Sequence, residues 1–158
     1  MKIDEVKDML PQKPERMAAV EEPKKSELTK ASYDVIGCIH EVYKQLGSGL
    51  PEYIYQEALA KQLKTRGLVF HKEMKFHPLF NGEPLEAFLK MDLVVESPIG
   101  NIIVECKALT QLSDHEHYQT FGYLRATQWP IAILVNFGPD RRAQIERYHY
   151  ANGKLFVF

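Results

Sequence analysis

The sequence predicts a single α/β domain with the element order α, α, β, β, β, α, β, β, β. Three observations support this fold class: apolar residues recur at helical spacing before residue 67, apolar and polar residues alternate after residue 70, and a continuous apolar run fills residues 131–135. A chain of 158 residues is long enough for one domain with a hydrophobic core, but short for two.

Residues 1–27 are expected to form a charged, flexible N-terminal tail, and residues 28–158 to form the domain. The first 27 residues hold 6 basic and 7 acidic residues, 3 prolines and few large apolar side chains. Such a segment buries too little apolar surface to fold on its own. We therefore assign no chemistry to it.

Two amphipathic helices are predicted in the first half of the domain. The first spans residues 32–46 and stops at Gly47, where a left-handed helix cap is common. The second begins at Pro51 and ends near Gly67. Proline is common in the first turn of a helix, because the amides of that turn make no hydrogen bond within the helix. Each helix carries an apolar stripe: Val35, Ile39, Val42 and Leu46 in the first, and Tyr55, Leu59 and Leu63 in the second.

Three strands are predicted to follow as two hairpins. In residues 70–80, apolar side chains at even positions alternate with polar ones, as in a half-buried strand, and Asn81-Gly82 is a strong turn signal. Strand 1 therefore pairs antiparallel with strand 2, residues 88–96. Strand 3, residues 102–109, pairs with strand 2 across the turn formers of residues 97–101.

The last third of the chain contains one more helix and three strands. Ser113 to Glu116 has the spacing of a capping box, which starts a helix that runs to about Thr127. The apolar run of residues 131–135 is typical of a strand buried on both faces. Asn152-Gly153 indicates a final hairpin within residues 148–158.

The hairpin of strands 2 and 3 brings charged residues together. With the turn centred between Pro98 and Ile99, cross-strand partners have numbers that sum to 197, so Asp92 faces Glu105, with Cβ atoms ~4.5–5.5 Å apart. Lys107 projects from the same face. Two opposed carboxylates are unfavourable unless a cation lies between them or Lys107 offsets their charge. The alternative is a cross-strand salt bridge on an exposed face.

This arrangement predicts metal-assisted hydrolysis of a phosphodiester. Mg²⁺ or Mn²⁺ binds carboxylate oxygens, keeps several waters and takes its remaining ligands from a substrate phosphate. Such an ion acidifies an attacking water. Lys107 would help to position or deprotonate that water.

Two helical residues are candidates to support the site. Glu52 shares a helix face with Tyr55 and Leu59, which places its carboxylate near the buried stripe. The alternative is a favourable interaction of Glu52 with the helix dipole. Gln119 shares a face with Tyr123, and its alternative is an ordinary surface glutamine.

Five sequence blocks follow one another in order: Gly49-Leu50-Pro51-Glu52-Tyr53-Ile54-Tyr55, residues 90–95, residues 103–108, the Q-x-x-x-Y-L of residues 119–124, and Asn136-Phe137-Gly138. Together they resemble one family, the GxxExxY proteins, a branch of the PD-(D/E)XK nuclease superfamily. The resemblance covers residues 28–138, and the proline that precedes the first acid in the superfamily is replaced by Met91.

The resemblance implies a restriction-endonuclease-like core, in which helices flank a mixed central sheet on both sides. It also implies a divalent-metal-dependent nuclease that uses Mg²⁺ or Mn²⁺. The implied catalytic residues are Asp92, Glu105, Lys107, Glu52 and Gln119; the implied metal ligands are Asp92, Glu105, Glu52 and the backbone carbonyl of Cys106; and the implied substrate contacts are Gln119, Tyr123 and Tyr55.

The charge balance limits how a nucleic acid can be held. The chain has 20 Lys plus Arg and 21 Asp plus Glu, a net charge of −1, so it lacks the global basic signature of a tight nonspecific binder. We expect a nucleic-acid partner, DNA rather than RNA, to be held locally; a homodimer is left open. The candidate basic surfaces are Lys61, Lys64, Arg66, Lys72 and Lys75, and separately Arg141, Arg142 and Arg147, with solvated side chains as the alternative.

The remaining features predict a cytoplasmic protein that does not bind membranes. No apolar run approaches the ~20 residues that span a bilayer, and the N-terminus has no signal-peptide core. Cys38 and Cys106 are expected to be reduced thiols. The alternative functions are a catalytically silent nuclease-fold module that binds nucleic acid or a protein, and a purely structural protein whose hairpin charges are paired.

Overall fold

The computed structural model describes residues 21–158, so most of the predicted tail lies outside the described residues. The helices are α1 (Lys25–Leu46), α2 (Glu52–Thr65) and α3 (Asp114–Thr127). The strands are β1 (Phe70–Phe76), β2 (Leu79–Phe80), β3 (Glu83–Pro84), β4 (Leu89–Ser97), β5 (Gly100–Lys107), β6 (Ile131–Asn136), β7 (Gln144–Ala151) and β8 (Lys154–Val157).

The central sheet has six strands in the order β1-β4-β5-β6-β7-β8. Strands β5 and β6 are parallel and are connected through α3, whereas every other neighbouring pair is antiparallel. A parallel pair needs such a crossover, because its strands run in the same direction. The predicted mixed sheet with flanking helices is confirmed.

Each face of the sheet has its own hydrophobic core. The α1–α2 core lies on one face and the α3 core on the other. All six residues of β6 are buried, as expected for a strand between two cores. The α1–α2 core includes Val35, Ile39, Tyr55, Leu59, Leu93, Val104 and Phe137, and the α3 core includes Met91, Val94, Ile103, Tyr123, Leu124 and Leu134.

The helices follow the predicted stripes with one change of boundary. Helix α1 begins at Lys25 rather than residue 32, because Leu28 and Ser32 continue its buried side. Residues 25–27, which the sequence assigns to the tail, are therefore helical. The capping box of α3 is confirmed: the Ser113 amide donates to Glu116 Oε2 at 2.7 Å. None of the helices within residues 21–158 combines the length and apolarity that crossing a bilayer requires.

The first predicted strand is too long. Strand β1 ends at Phe76, because Pro78 has no amide to donate to a ladder. Asn81 and Gly82, at φ 51° and 77°, form the turn of a separate small hairpin, β2 and β3. The antiparallel pairing of strands 1 and 2 is confirmed as β1 with β4. Strand β7 begins at Gln144, earlier than predicted, since residues 144–149 all pair with β6.

His117 connects α3 to β7 instead of lying in solvent. Its Nε2 lies 2.6 Å from Glu146 Oε2, and its Nδ1 lies 2.8 Å from the Ser113 carbonyl oxygen. Tyr148 donates to the same Glu146 oxygen at 2.7 Å. Sequence patterns near His117 do not indicate this contact, because its partner on β7 is distant in sequence.

Candidate active site

The predicted hairpin register is confirmed. Leu93 pairs with Val104 and Ser97 with Gly100, and both pairs sum to 197. Counted from the turn, the regular ladder ends at the pair next to Asp92. At Asp92 itself, carboxylate oxygens accept the main-chain amides in place of carbonyl oxygens. The Asp92 amide donates to Glu105 Oε1 at 3.1 Å, and the Cys106 amide donates to Asp92 Oδ2 at 3.0 Å. The two acids are therefore direct neighbours at the open end of the hairpin.

The other ladder of β4 is also interrupted at Asp92. Lys72 pairs with Leu93 and Met74 with Met91, so the register would place Glu73 opposite Asp92, but this pair is missing. Glu73 has a φ of 50°, which is uncommon for a residue with a side chain. Asp92 thus lies at a local break that crosses two adjacent strands.

Side chains change faces at this break. In β1, Phe70 packs against the α1–α2 core, whereas Met74 packs against the α3 core. In β4, Leu93 and Met91 are divided in the same way. The even positions of β1 look like one face in the sequence but serve two cores. The simple alternation predicted for this strand is therefore wrong.

Glu105 is a buried acid whose environment disfavours a charge. Its side chain is 2% exposed, and burial, together with the neighbouring charge of Asp92, raises its pKa well above the usual value. The Asp92 amide and the Lys107 ammonium oppose this rise. Buried charges need a partner of opposite charge. A hard divalent cation would meet that need.

The donor set fits such an ion through two carboxylates rather than three. Within residues 21–158, no cluster of three or more His, Cys, Asp and Glu side chains has metal-binding geometry. The Cys106 amide points towards β4, and the carbonyl of a strand residue points to the same neighbour as its amide. Asp92, Glu105 and the Cys106 carbonyl therefore suit Mg²⁺ or Mn²⁺, which keeps several waters.

Lys107 is the last residue of β5 and is oriented by α3. Its Nζ donates to Gln119 Oε1 at 3.1 Å, so the sheet and the helix place these two groups together. Tyr123, one turn further along α3, is nearly buried; burial and the charges of Glu105 and Asp92 raise its pKa to about 12. The side of α3 predicted from Gln119 and Tyr123 does face the acids.

Glu52 lies close enough to Asp92 and Lys107 to interact with their charges. It is the first residue of α2, and its Oε1 accepts a hydrogen bond from Gln56 Nε2 at 3.1 Å. The pKa of Glu52 is raised above its usual value, mainly by partial burial. The negative charge of Asp92 adds to this rise, and the positive charge of Lys107 opposes it. The structure therefore brings Glu52 to the edge of the site, beside the acid pair.

Tyr55 supports the site from inside the core. Its side chain has no exposed surface, its hydroxyl donates to the Gly47 carbonyl at 2.6 Å, and it accepts the Leu50 amide at 3.2 Å. Its ring stacks on Phe137 with a centroid distance of 4.5 Å. The expected contact of Tyr55 with substrate is not possible in this conformation; instead, Tyr55 holds the loop that leads into Glu52.

Asn136 holds the chain on the other side of the site, a role that the sequence patterns do not assign. It pairs with Lys107 in the β5–β6 register. Its Oδ1 accepts the amides of Leu109 and Gly138 at 2.8 and 3.0 Å, and its Nδ2 donates to the Leu109 carbonyl at 2.9 Å. The segment of residues 136–138 therefore fixes both the exit from Lys107 and, through Phe137, the entry to Glu52.

Glu105 gives the metal-free protein a specific pH dependence. Because its folded pKa lies above its unfolded value of about 4.3, the folded chain binds more protons between the two values, so stability falls as pH rises through that window. We expect Glu105→Gln, which keeps an oxygen acceptor for Asp92, to melt at a higher temperature than wild type at pH 8 in EDTA. Thermal melts from pH 4 to 8 test this.

The matched control is Glu57→Gln, at an exposed position of α2, which should not change the melting profile. The difference between Glu105→Gln and wild type should be smallest at pH 4, below the unfolded pKa of about 4.3, where Glu105 is mostly protonated in both the folded and the unfolded chain. Equal melting temperatures at pH 8 would contradict the expectation.

Comparison with known proteins agrees with this geometry. A family model described as the PD-(D/E)XK nuclease superfamily matches residues 29–148. The match extends from α1 into β7 and includes every site residue named above. No curated protein matches the chain significantly.

Proposed function

The chain belongs to the PD-(D/E)XK nuclease superfamily, and we propose that it is a divalent-metal-dependent nuclease that hydrolyses phosphodiester bonds in DNA. The observation that carries the proposal is the pairing of Asp92 with Glu105 beside a lysine that Gln119 orients. The heptad of residues 49–55 supports placement in the GxxExxY branch. We also propose a cytoplasmic location.

Asp92, Glu105 and the Cys106 carbonyl would hold the metal, with Glu52 acting at the edge of the site. A bound Mg²⁺ or Mn²⁺ would supply Lewis acidity and a more acidic water. The two acids repel each other when both are ionised, and burial also disfavours an ionised Glu105, so the charged pair needs a cation. Their preference for a cation therefore favours a phosphate ester as substrate, because phosphate oxygens can share such an ion.

Lys107 would stabilise negative charge on the phosphate and position the attacking water. Its ammonium donates to Gln119 Oε1, so one of its protons is committed and the remaining two can reach substrate or water. Gln119 has no charge of its own, which leaves the positive charge of Lys107 available. Tyr123, which is nearly buried beneath Gln119, would limit water access and lies at the margin of substrate contact.

The deciding assay compares wild type with Asp92→Asn on labelled single-stranded, duplex and branched DNA and on RNA, with Mg²⁺, Mn²⁺ or EDTA. We expect cleavage of DNA that needs the metal and falls at least ~100-fold in the variant, because a metal ligand loses its charge. Both proteins are purified identically, so a contaminating nuclease would give equal rates.

A failure to cut any substrate above the variant's level would refute the nuclease proposal. If both proteins still bound nucleic acid equally well, the chain would instead be a catalytically silent nuclease-fold module. Preferential cleavage of RNA would refute only the DNA assignment.

A further inference from the structure

A cationic groove lies beside the α1–α2 core, outside the site described above. Its volume is about 800 Å³, and it lies between α1, the loop before β7, and β7 itself. We call it the arginine groove. It is lined by His40 of α1, Arg142 of the loop and Arg147 of β7, together with apolar residues, Gln144 and Asp140.

The two arginines of the groove are available to an anion. Among the residues that the structure describes, neither Arg142 nor Arg147 forms an ion pair with a carboxylate. The guanidinium of Arg147 lies 4.9 Å from the centre of the Phe158 ring, which holds it in place. A planar guanidinium held in this way matches the oxygens of a phosphate and loses little entropy on binding.

The arginine groove joins the catalytic end of the sheet. A second cavity of about 400 Å³ shares Pro139 and Asp140 with it. This second cavity is also lined by Gly49 and Leu50, which precede Glu52, and by residues 108–110, which follow Lys107. The two cavities therefore connect the groove with segments that adjoin Glu52 and Lys107 in the chain.

The spacing agrees with a nucleic-acid strand. Lys107 pairs with Asn136, and Asn136 pairs with Gln144, so Gln144 lies two strands away from Lys107. Neighbouring strands are ~4.8 Å apart, which gives about 10 Å. Gln144 also lines the groove, so a strand that passes Lys107 can reach the groove.

We propose that the arginine groove binds the phosphate backbone of the nucleic acid to one side of the bond that is cut. The position of that bond rests on the proposed nuclease function, whereas binding in the groove does not. Phosphate contacts of this kind position a strand without reading its sequence. They explain how a chain with a net charge of −1 holds a polyanion: the positive charge is local.

Asp140 lies where the two cavities meet and gives the proposal a second, opposite test. Its Oδ1 accepts a hydrogen bond from Ser48 Oγ at 2.6 Å, and the preceding carbonyl, of Pro139, accepts one from Tyr43 at 2.6 Å. The loop is therefore held with a carboxylate beside the path of the strand. Removing that charge with Asp140→Asn should tighten binding.

The experiment measures binding of a fluorescent 20-nucleotide DNA by anisotropy, in EDTA so that no cleavage occurs, across a range of salt concentrations. We expect the double variant Arg142→Ala with Arg147→Gln to bind about tenfold or more weakly. The slope of log K against log salt should fall by about 1.4 for single strands and about 1.8 for duplex, because two phosphate contacts are lost.

The matched control is the double variant Lys64→Ala with Lys72→Ala. It also removes two positive charges, but from the other candidate basic surface, which the sequence places around residues 61–75. Unchanged binding by the arginine variant, or an equal loss in the control, would overturn the proposal. Arg142→Ala alone, at an exposed loop position, covers the case in which loss of the Arg147 contact with Phe158 destabilises the fold; it should still weaken binding, and melting temperatures verify folding.

Two further outcomes separate this proposal from others. Complete competition by inorganic phosphate, with affinity independent of oligonucleotide length, would indicate a site for a free phosphate and would overturn it. If affinity depends on the arginines but the protein cuts nothing, the groove proposal stands and the nuclease proposal is refuted. If the protein cuts DNA but its affinity does not depend on the arginines, the nuclease proposal stands and the groove proposal is refuted.

Discussion

Replacing Lys107 with methionine is expected to lower the rate of DNA cleavage by about 10²- to 10⁴-fold, the range typical of a lost acid–base group. Methionine keeps the aliphatic volume of the side chain but removes the ammonium that donates to Gln119. The acid pair is unchanged, so binding of Mn²⁺ should persist. Single-turnover cleavage rates and Mn²⁺ titrations together test this expectation.

The matched control for Lys107 is Lys90→Met, at an exposed position of β4. It removes the same charge from a neighbouring strand and should leave the cleavage rate nearly unchanged. If both variants lost activity equally, the effect would reflect general electrostatics rather than a group at the reaction centre. A Lys107→Met protein that cut at the wild-type rate would remove Lys107 from the mechanism.

Gly138→Ala is expected to be the most damaging single-atom change to stability. A Cβ at Gly138 would lie 1.9 Å from the Leu109 carbonyl oxygen and 2.6 Å from its carbon, and both are backbone atoms that Asn136 holds in place. Overpacking of this kind typically costs about 1–3 kcal/mol in free energy of unfolding, and the contact with fixed backbone atoms places Gly138→Ala at the upper end of that range. Urea denaturation followed by circular dichroism measures the loss.

Gly122→Ala is the control for Gly138, because it adds the same methyl group at another glycine. A Cβ at Gly122, inside α3, would meet nothing within 4 Å. Replacing glycine by alanine within a helix stabilises by about 0.5–1 kcal/mol. A smaller loss for Gly138→Ala than ~1 kcal/mol would show that the loop after Lys107 yields easily and that Asn136 does not fix it.

The hairpin that carries the acids could be predicted because its geometry is local. The turn between Pro98 and Ile99 sets the register of the two strands, and Leu93 opposite Val104 follows from it. Helix boundaries with capping residues, such as Ser113, could be found for the same reason. In both cases a few neighbouring residues determine the structure.

Features that depend on distant contacts could not be predicted in this way. At Glu73 and Asp92, the side chains of β1 and β4 switch from one core to the other on the opposite side of the sheet. A two-residue period in the sequence assumes that apolar side chains of a strand all pack against one core. The burial of Tyr55 depends on Phe137, 82 positions later in the chain. The motif of residues 136–138 was visible in the sequence, but its hydrogen bonds to Leu109 were not.

The two carboxylates at the end of the hairpin also belong to the architecture of the sheet. One oxygen of each accepts a main-chain amide, from Asp92 and from Cys106, in place of a strand carbonyl. The remaining oxygen of each would be available to the proposed metal ion. Folding and the proposed catalysis would therefore use different oxygens of the same carboxylates. The evolution of an inactive relative of this chain would therefore be constrained. Amides could replace the acids and still accept these two hydrogen bonds, whereas alanine would lose them and weaken the pairing of β4 with β5.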